Sequence, residues 1–485
     1  MPSDGNLPLY TDDEPGYKNT KLDSGVPPPS LSTLPRVVKA PRGGGSSSGG
    51  IVLSPGQPSR NSRLQQAPAQ RLDKSNGQAV DVVGRFFVVI ENTRGPNFIE
   101  QLSMPEWSRM MSERDDVRGR RTDPRLLGGD VGLVRELERR REMMMGMGLS
   151  AHEFNLVCAP NNPYEALAQS SAWGSLSAVA LGHLDFLLKP VTEYLKPKME
   201  LRFVDLGSIC GGFSRYILWR ANRVGGSAKG WYLGCPSGAE RGTLDSADGL
   251  DIGRLSLGVA DDSLTEFGAG SPTKPDVLEP ATVEAFIEFV KSGSNAAGVD
   301  LVVGESGREL PDFGVDLERR QYAFILAQSA IALRVLRAGG TFVFRMADTT
   351  TPLSAEILFL LHACFERMAV VRSLASRPTS TERFIVCNHV GGESRWVASH
   401  FLAALARMRG DQFKLSHLVS WTRVSAERQF IDKIAGVNVT LAQSQLAGLK
   451  YAGEHSSSVG EFRPSRLQSD VAERCLSVWD LPLRK

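Results

Sequence analysis

The chain predicts an α/β fold, a doubly wound and mostly parallel sheet with helices on both faces, preceded by a disordered N-terminal tail. Three observations carry that expectation. From about residue 155, apolar helical stretches alternate with short strand-like runs. One of those runs ends in Asp205 and a glycine turn that opens at once into a helix. Residues 1–80 are rich in Gly, Pro and Ser and poor in aromatics. The 485 residues correspond to two or three domains' worth of sequence.

The elements follow in order. Residues 1–80 hold Pro27-Pro28-Pro29 and the run Gly43–Gly50, a composition that buries too little apolar surface to offset the entropy of ordering. Arg36, Lys39 and Arg42 beside that run read as part of a solvated tail. Residues 81–154 form an N-terminal extension of one strand, Phe86–Ile90, and charged helices, one through Val131–Met145. Its Arg139-Arg140-Arg141 run reads as a solvated helix face, and Met143, Met144, Met145 and Met147 as packing residues. Residues 155–395 carry the alternating pattern: a helical stretch Pro163–Leu188, strand Arg202–Leu206, helix Phe213–Ala221, strand Lys229–Leu233, helix Val283–Lys291 and strand Val299–Val303. Helix Arg319–Leu336, strand Thr341–Arg345, helix Ser354–Met368 and paired strands near Val370–Leu374 and Arg383–Cys387 complete it. Residues 396–485, with Trp396, Phe401, Trp421 and Phe430, read as a helical extension packed on that domain.

Charge and cysteine usage exclude several classes. With 56 basic and 54 acidic residues there is no global positive field, so affinity for nucleic acid must come from a local patch. The six cysteines form no CxxC pair, which argues against a zinc site or disulfide framework and fits a reducing compartment. No run approaches the ~18 apolar residues of a membrane span. Asp4, Asp12, Asp13 and Glu14 argue against a secretory signal, so a soluble intracellular protein is expected.

The turn Phe203-Val204-Asp205-Leu206-Gly207-Ser208-Ile209-Cys210-Gly211-Gly212-Phe213 is the most informative segment. Its G-x-x-x-G-G spacing is neither the dinucleotide fingerprint nor a P-loop. An acidic strand end before such a turn suits S-adenosylmethionine, whose ammonium and ribose hydroxyls favour an anionic neighbour. A nicotinamide cofactor or a purely structural turn stays open on pattern alone.

Residues 205–220, DLGSICGGFSRYILWR, resemble the first motif of FtsJ-like methyltransferases. The likeness continues at Asn162–Glu165, Asp276–Pro280 before Ala285–Val290, Arg334–Phe342, Asp348–Pro352, the block Ser376–Phe384 (SRPTSTERF) and Glu473–Pro482. It covers roughly 155–485, and its last two blocks are similar to the eukaryotic cap-specific mRNA 2′-O-methyltransferase 1 type. The resemblance implies methyl transfer from S-adenosylmethionine to the ribose 2′-OH of the first transcribed nucleotide of capped mRNA. It also implies nuclear residence, with cytoplasm as the alternative, and no membrane. The tail is the segment expected to dock transcription or capping machinery.

Carried over residue by residue, Asp205, Gly207, Ser208, Gly211, Gly212, Phe213 and Asp276 stand where the family contacts the cofactor. The family's Lys-Asp-Lys-Glu centre is mostly replaced. Ala180 stands at the first lysine, Glu305 at the aspartate, Arg345 at the second lysine, and only the glutamate is kept, as Glu382. Arginine, with a pKa above ~12, cannot serve as a general base, though its charge can stabilise a forming alkoxide. Lys189, Lys196 and Lys198 are the nearby candidates to replace the lost lysine, against a reading as surface lysines. Trp173, Trp231 and Tyr232 are candidates to stack a cap guanine, against a reading as core. Asp348 is expected to cap or orient a loop. Two readings follow: an active 2′-O-methyltransferase with a remodelled centre, or a catalytically impaired protein of the same family that binds S-adenosylmethionine or RNA.

Overall fold

The described strands are β1 (Phe87–Glu91), β2 (Glu200–Leu206), β3 (Ser227–Leu233), β4 (Leu264–Glu266), β5 (Val299–Gly304), β6 (Leu336–Met346), β7 (Phe365–Val371) and β8 (Arg383–Val390), and the central ones form where apolar and β-branched runs are buried on both sides. The computed structural model describes residues 83, 87–92, 122–207, 211–233, 264–267, 276–305, 317–391, 394–408, 415–455 and 462–484. The expected tail, 1–80, lies outside the described residues.

The strands make one sheet in the order β1-β7-β8-β6-β5-β2-β3-β4. From β4 to β6 all neighbours are parallel. β8 runs antiparallel between β6 and β7, and β1 antiparallel outside β7. Six of the eight strands therefore point one way, the mostly parallel sheet the sequence predicts. The chain leaves β2 outward through β3 and β4, then returns to the other side of β2 as β5. That reversal makes a crevice outside the carboxyl ends of β2 and β5, where doubly wound sheets take ligands.

The helices are α1 (Val131–Gly146), α2 (Ala151–Cys158), α3 (Leu167–Ser170), α4 (Leu176–Leu188), α5 (Gly212–Arg223), α6 (Pro280–Gly293), α7 (Leu317–Arg320), α8 (Tyr322–Val335), α9 (Pro352–Cys364), α10 (Arg395–Met408), α11 (Trp421–Ala426), α12 (Arg428–His455) and α13 (Arg466–Val478). Alternate strand residues feed two cores. On one face Phe203, Leu301, Val303, Val343 and Phe384 pack with α4, α5 and α13. On the other, Val204, Val302, Phe342, Phe344 and Ile385 pack with α6, α8, α9 and α10. A third cluster joins α1, α2 and α12 through Leu137, Met144, Phe154 and Leu449. No described helix is long and apolar enough to cross a membrane.

Several expectations are corrected. The helical stretch Pro163–Leu188 is interrupted: Gly174, at φ +62°, breaks it, and the Ser175 hydroxyl caps a new helix by accepting from Ala178 N. The helix expected to reach Met368 stops at Cys364, because Phe365–Val371 is claimed as β7 by ladders to both β1 and β8. Four consecutive residues of helical propensity lose there to backbone pairing on two sides. Of the methionines, Met144 is core and Met143 and Met147 close over Gly453, but Met145 is exposed. Phe401, Trp421 and Phe430 are buried, while Trp396 is exposed.

Phe286 is fully buried and meets Phe267 edge-on with centroids 5.5 Å apart. Phe286→Ala is expected to cost about 3–5 kcal/mol, read as a lowered urea midpoint with unchanged slope. Burial holds the His400 imidazole below its ordinary value, with Arg407 and His417 acting the same way and a hydrogen bond to Leu418 O (2.9 Å) opposing. The unfolded chain therefore takes up that proton at higher pH than the folded one, and stability falls as pH drops through about 6.5. His400→Gln is expected to flatten that acid limb in thermal melts between pH 7.5 and pH 5.

Candidate active site at the strand ends

The ends of β2 and β5 are locked together. Leu206 pairs with Gly304, and Glu305 N donates to Leu206 O at 3.1 Å. Gly304 is required because a Cβ there would collide with the Gln328 amide, whose Nε2 donates to Leu206 O at 3.3 Å. The chain then turns through Gly207 at φ +76°, and Gly211 at φ +61° caps α5 with no side chain. A Cβ on Gly212 would lie 2.7 Å from Ser177 Cβ, so the starts of α5 and α4 touch. Phe213 is fully buried against Phe384. Asp205 is fully buried and accepts from Ser214 N (3.2 Å) and Oγ (2.5 Å), fastening the first turn of α5 to the strand. Five of the predicted cofactor positions thus meet at one turn. Ser208 lies outside the described residues. Asp276 sits exposed on the separate turn that opens α6, accepting from Leu278 N at 2.9 Å.

Beside this turn a polar cluster forms on the face covered by α4 and α5. Leu301, Val303 and Val343 point to that face, and Glu305 and Arg345 continue the alternation one step further. Because Gly304 pairs with Phe344, Glu305 and Arg345 stand on neighbouring strands roughly 4.8 Å apart. Glu305 accepts from Ser177 Oγ at 2.7 Å. Arg345 forms an ion pair with Glu382, which also accepts from Ser376 Oγ at 2.6 Å and donates its N–H to Ser380 Oγ at 3.0 Å. Glu305 and Arg345 are 3% and 5% exposed, so these groups interact largely out of water.

Sequence reasoning passed over Ser177. It lies one helical turn ahead of Ala180 on the same face of α4, and the Ser-Leu-Ser at the helix start reads as a cap. Ala180 itself is buried among apolar side chains. Lys189 ends α4, about 18 Å along the axis from Ser177. Lys196 and Lys198 precede the amino end of β2, at the opposite end of the sheet from the cluster. Trp173, Trp231 and Tyr232 are core: Trp173 is edge-on to Trp219 at 5.3 Å, and Trp231 packs on Gly293.

The loop after β6 is held at every residue. Ala347 N donates to Gln321 Oε1 (2.7 Å), and Glu318 accepts from the N–H and hydroxyl groups of Thr350 and Thr351. Burial, reinforced by the Asp348 charge, pushes the Glu318 carboxyl up. Asn438 accepts from Thr349 Oγ1 and donates to Thr349 O. Asp348 lies between Arg383 (2.7 Å) and Arg141 (2.5 Å). The arginine run on α1 is therefore not one solvated face: Arg139 and Arg140 pair with Glu136 at the surface, while Arg141 turns inward and is 7% exposed. Asp348→Asn leaves two buried guanidinium groups with one anion fewer, and is expected to cost about 3–5 kcal/mol, measured as a lowered Tm.

A doubly wound, mostly parallel sheet with a glycine turn and a carboxylate–guanidinium cluster at its switch point defines the class, an α/β protein with a ligand crevice at its strand ends. Residues 187–390 match the FtsJ-like methyltransferase family. The chain is 24% identical over 351 residues to cap-specific mRNA (nucleoside-2′-O-)-methyltransferase 1 of Xenopus laevis, covering 69% of this chain and 40% of that protein. It is 26% identical over 326 residues to the inactive cap-specific mRNA (nucleoside-2′-O-)-methyltransferase 1B of Caenorhabditis briggsae, covering 63% and 36%. The chain thus spans about two fifths of the length of these relatives. A solved putative ribosomal RNA methyltransferase from Plasmodium falciparum aligns with 45% of this chain and 99% of its own, at 14% identity and a TM-score of 0.30.

Proposed function

We propose that this chain is an S-adenosylmethionine-dependent RNA ribose 2′-O-methyltransferase acting on the first transcribed nucleotide of capped mRNA. The observation that supports this reading most is the convergence of Ser177, Glu305, Arg345 and Glu382 beside the glycine turn. The turn fits the cofactor. Gly207 and Gly211 present backbone without Cβ at the start of α5, which lets a ligand approach the chain closely there. S-adenosylmethionine supplies an electrophilic methyl group on a sulfonium.

The chain's own residues supply the rest. Glu305, oriented by the Ser177 hydroxyl, is the carboxylate placed to accept the proton of a ribose 2′-OH. Arg345, steered by Glu382, holds positive charge where the alkoxide develops. The centre works without a lysine, by orientation and charge. Residues 1–80 are the segment we assign to docking transcription or capping machinery, and the nucleus is the compartment this substrate implies.

A second reading, a protein that binds S-adenosylmethionine or RNA without turning over, is favoured by one observation. Arg345 is already engaged by Glu382, and the three nearby lysines stand at the far end of α4 or the amino end of the sheet. Radiolabelled S-adenosylmethionine with 7-methylguanosine-capped RNA separates the two. Cap-dependent label, absent from uncapped RNA and reduced roughly 10- to 100-fold in Glu382→Ala, is the expected result. No label from protein that still binds S-adenosylmethionine establishes the second reading.

A further inference from the structure

We infer that Arg141, Asn438 and Gln445 are positioning residues of the centre, although all three lie outside the family segment 187–390. They set Glu382 against Arg345 from α1 and α12. The inference rests on the reading of Arg345 and Glu382 as reaction-centre groups.

Glu382 is tethered on both sides. Upstream, Gln445 Nε2 donates to Thr379 O at 2.8 Å, and the adjoining Ser380 hydroxyl accepts the Glu382 N–H. Gln445 is itself oriented by Arg141, which donates to its Oε1 at 2.5 Å. Downstream, the neighbouring Arg383 is held by Asp348, by Thr349 Oγ1 (2.8 Å) and by Asn438 Oδ1. Arg345 is tethered through the same cluster, because Asp348 follows it by three residues and takes Arg141 on its second oxygen. The backbone of α12 also rests on the turn: a Cβ on Gly448 would lie 3.0 Å from Thr379 Cγ2 and 3.2 Å from Pro378 C.

These contacts are buried: Arg141 is 7% exposed, Gln445 2% and Asn438 0%. A side chain whose only task were to join helices could be apolar. Here each residue spends at least one polar group within three residues of the ion pair: Gln445 on Thr379 O, Asn438 on Arg383 and Arg141 on Asp348, while the Asn438 Nδ2 also reaches Leu126 O and Thr349 O. A guanidinium and a carboxylate meet well only within a narrow range of angles, so small shifts of either strand end change the charge presented to a reacting hydroxyl.

The test uses the full chain and three variants, Arg141→Met, Arg141→Lys and Gln445→Met. Gln445→Met removes the tether to Thr379 and the Arg141 contact on it but keeps the Arg141–Asp348 pair, and serves where Arg141→Met does not fold. Methyl transfer to capped RNA gives kcat and KM. The Arg345 Nε–H signal in a 15N-arginine spectrum, assigned by its loss in Arg345→Lys, reports the ion pair without turnover. The expected result is a kcat lower by roughly tenfold or more with KM changed less than about twofold, a displaced Arg345 signal, and partial recovery in Arg141→Lys. A folded Arg141→Met or Gln445→Met protein with unchanged kcat and an unmoved signal overturns the inference. If the unaltered protein transfers no methyl group, the proposed activity falls. The signal alone then decides the positioning role: displaced supports it, unmoved overturns it.

Discussion

One buried carboxylate, Asp348, holds two arginines far apart in the sequence, Arg141 on α1 and Arg383 at the start of β8. Removing three charges from water is costly, and close geometry with further hydrogen bonds must offset it. The surroundings provide that geometry. Glu318, Gln321 and Asn438 bind the same loop, so no residue from Ala347 to Thr351 is left to its own preferences. The ends of β6 and β8 inherit this rigidity, and those are the strands that carry Arg345 and Glu382.

The antiparallel setting of β8 explains why Glu382 can be there. In a wholly parallel sheet only carboxyl ends reach the crevice. β8 runs against β6, so its amino end lies beside the carboxyl end of β6, with Arg383 opposite Met346. Glu382, just before β8, thereby joins Arg345, next to last in β6, and Glu305, just after β5. The glycine turn completes the ring, since Gly212 lets α5 approach α4 closely enough for Ser177 to reach Glu305.

The parallel core was legible because its strands are short apolar runs separated by helical periodicity, a local signal. So was the gathering of Gly207, Gly211, Gly212 and Phe213, because they are contiguous. What escaped depends on distant partners. Phe365–Val371 reads as the end of a helix until β1 and β8 pair with it on both sides. Arg141 is one of three like neighbours, and only the position of Asp348 selects it for burial. Ser177 differs from Ala180 by one turn, a register that a single sequence does not fix. The Asp205 contact to Ser214, nine residues on, follows from the turn that folds α5 back against the strand end.

The contact between Arg141 and Gln445 spans 304 residues. A ribosome adding ~5–20 residues per second makes Gln445 about 15–60 s after Arg141. Through that interval α1 lacks its apolar partner on α12, and for about the first two thirds of it Asp348 has not been made either. The nascent chain therefore carries an incompletely sheltered amphipathic helix until α12 emerges to close it. Biogenesis, more than the equilibrium stability of the finished sheet, is where this long-range closure exposes the protein to chaperones and proteases.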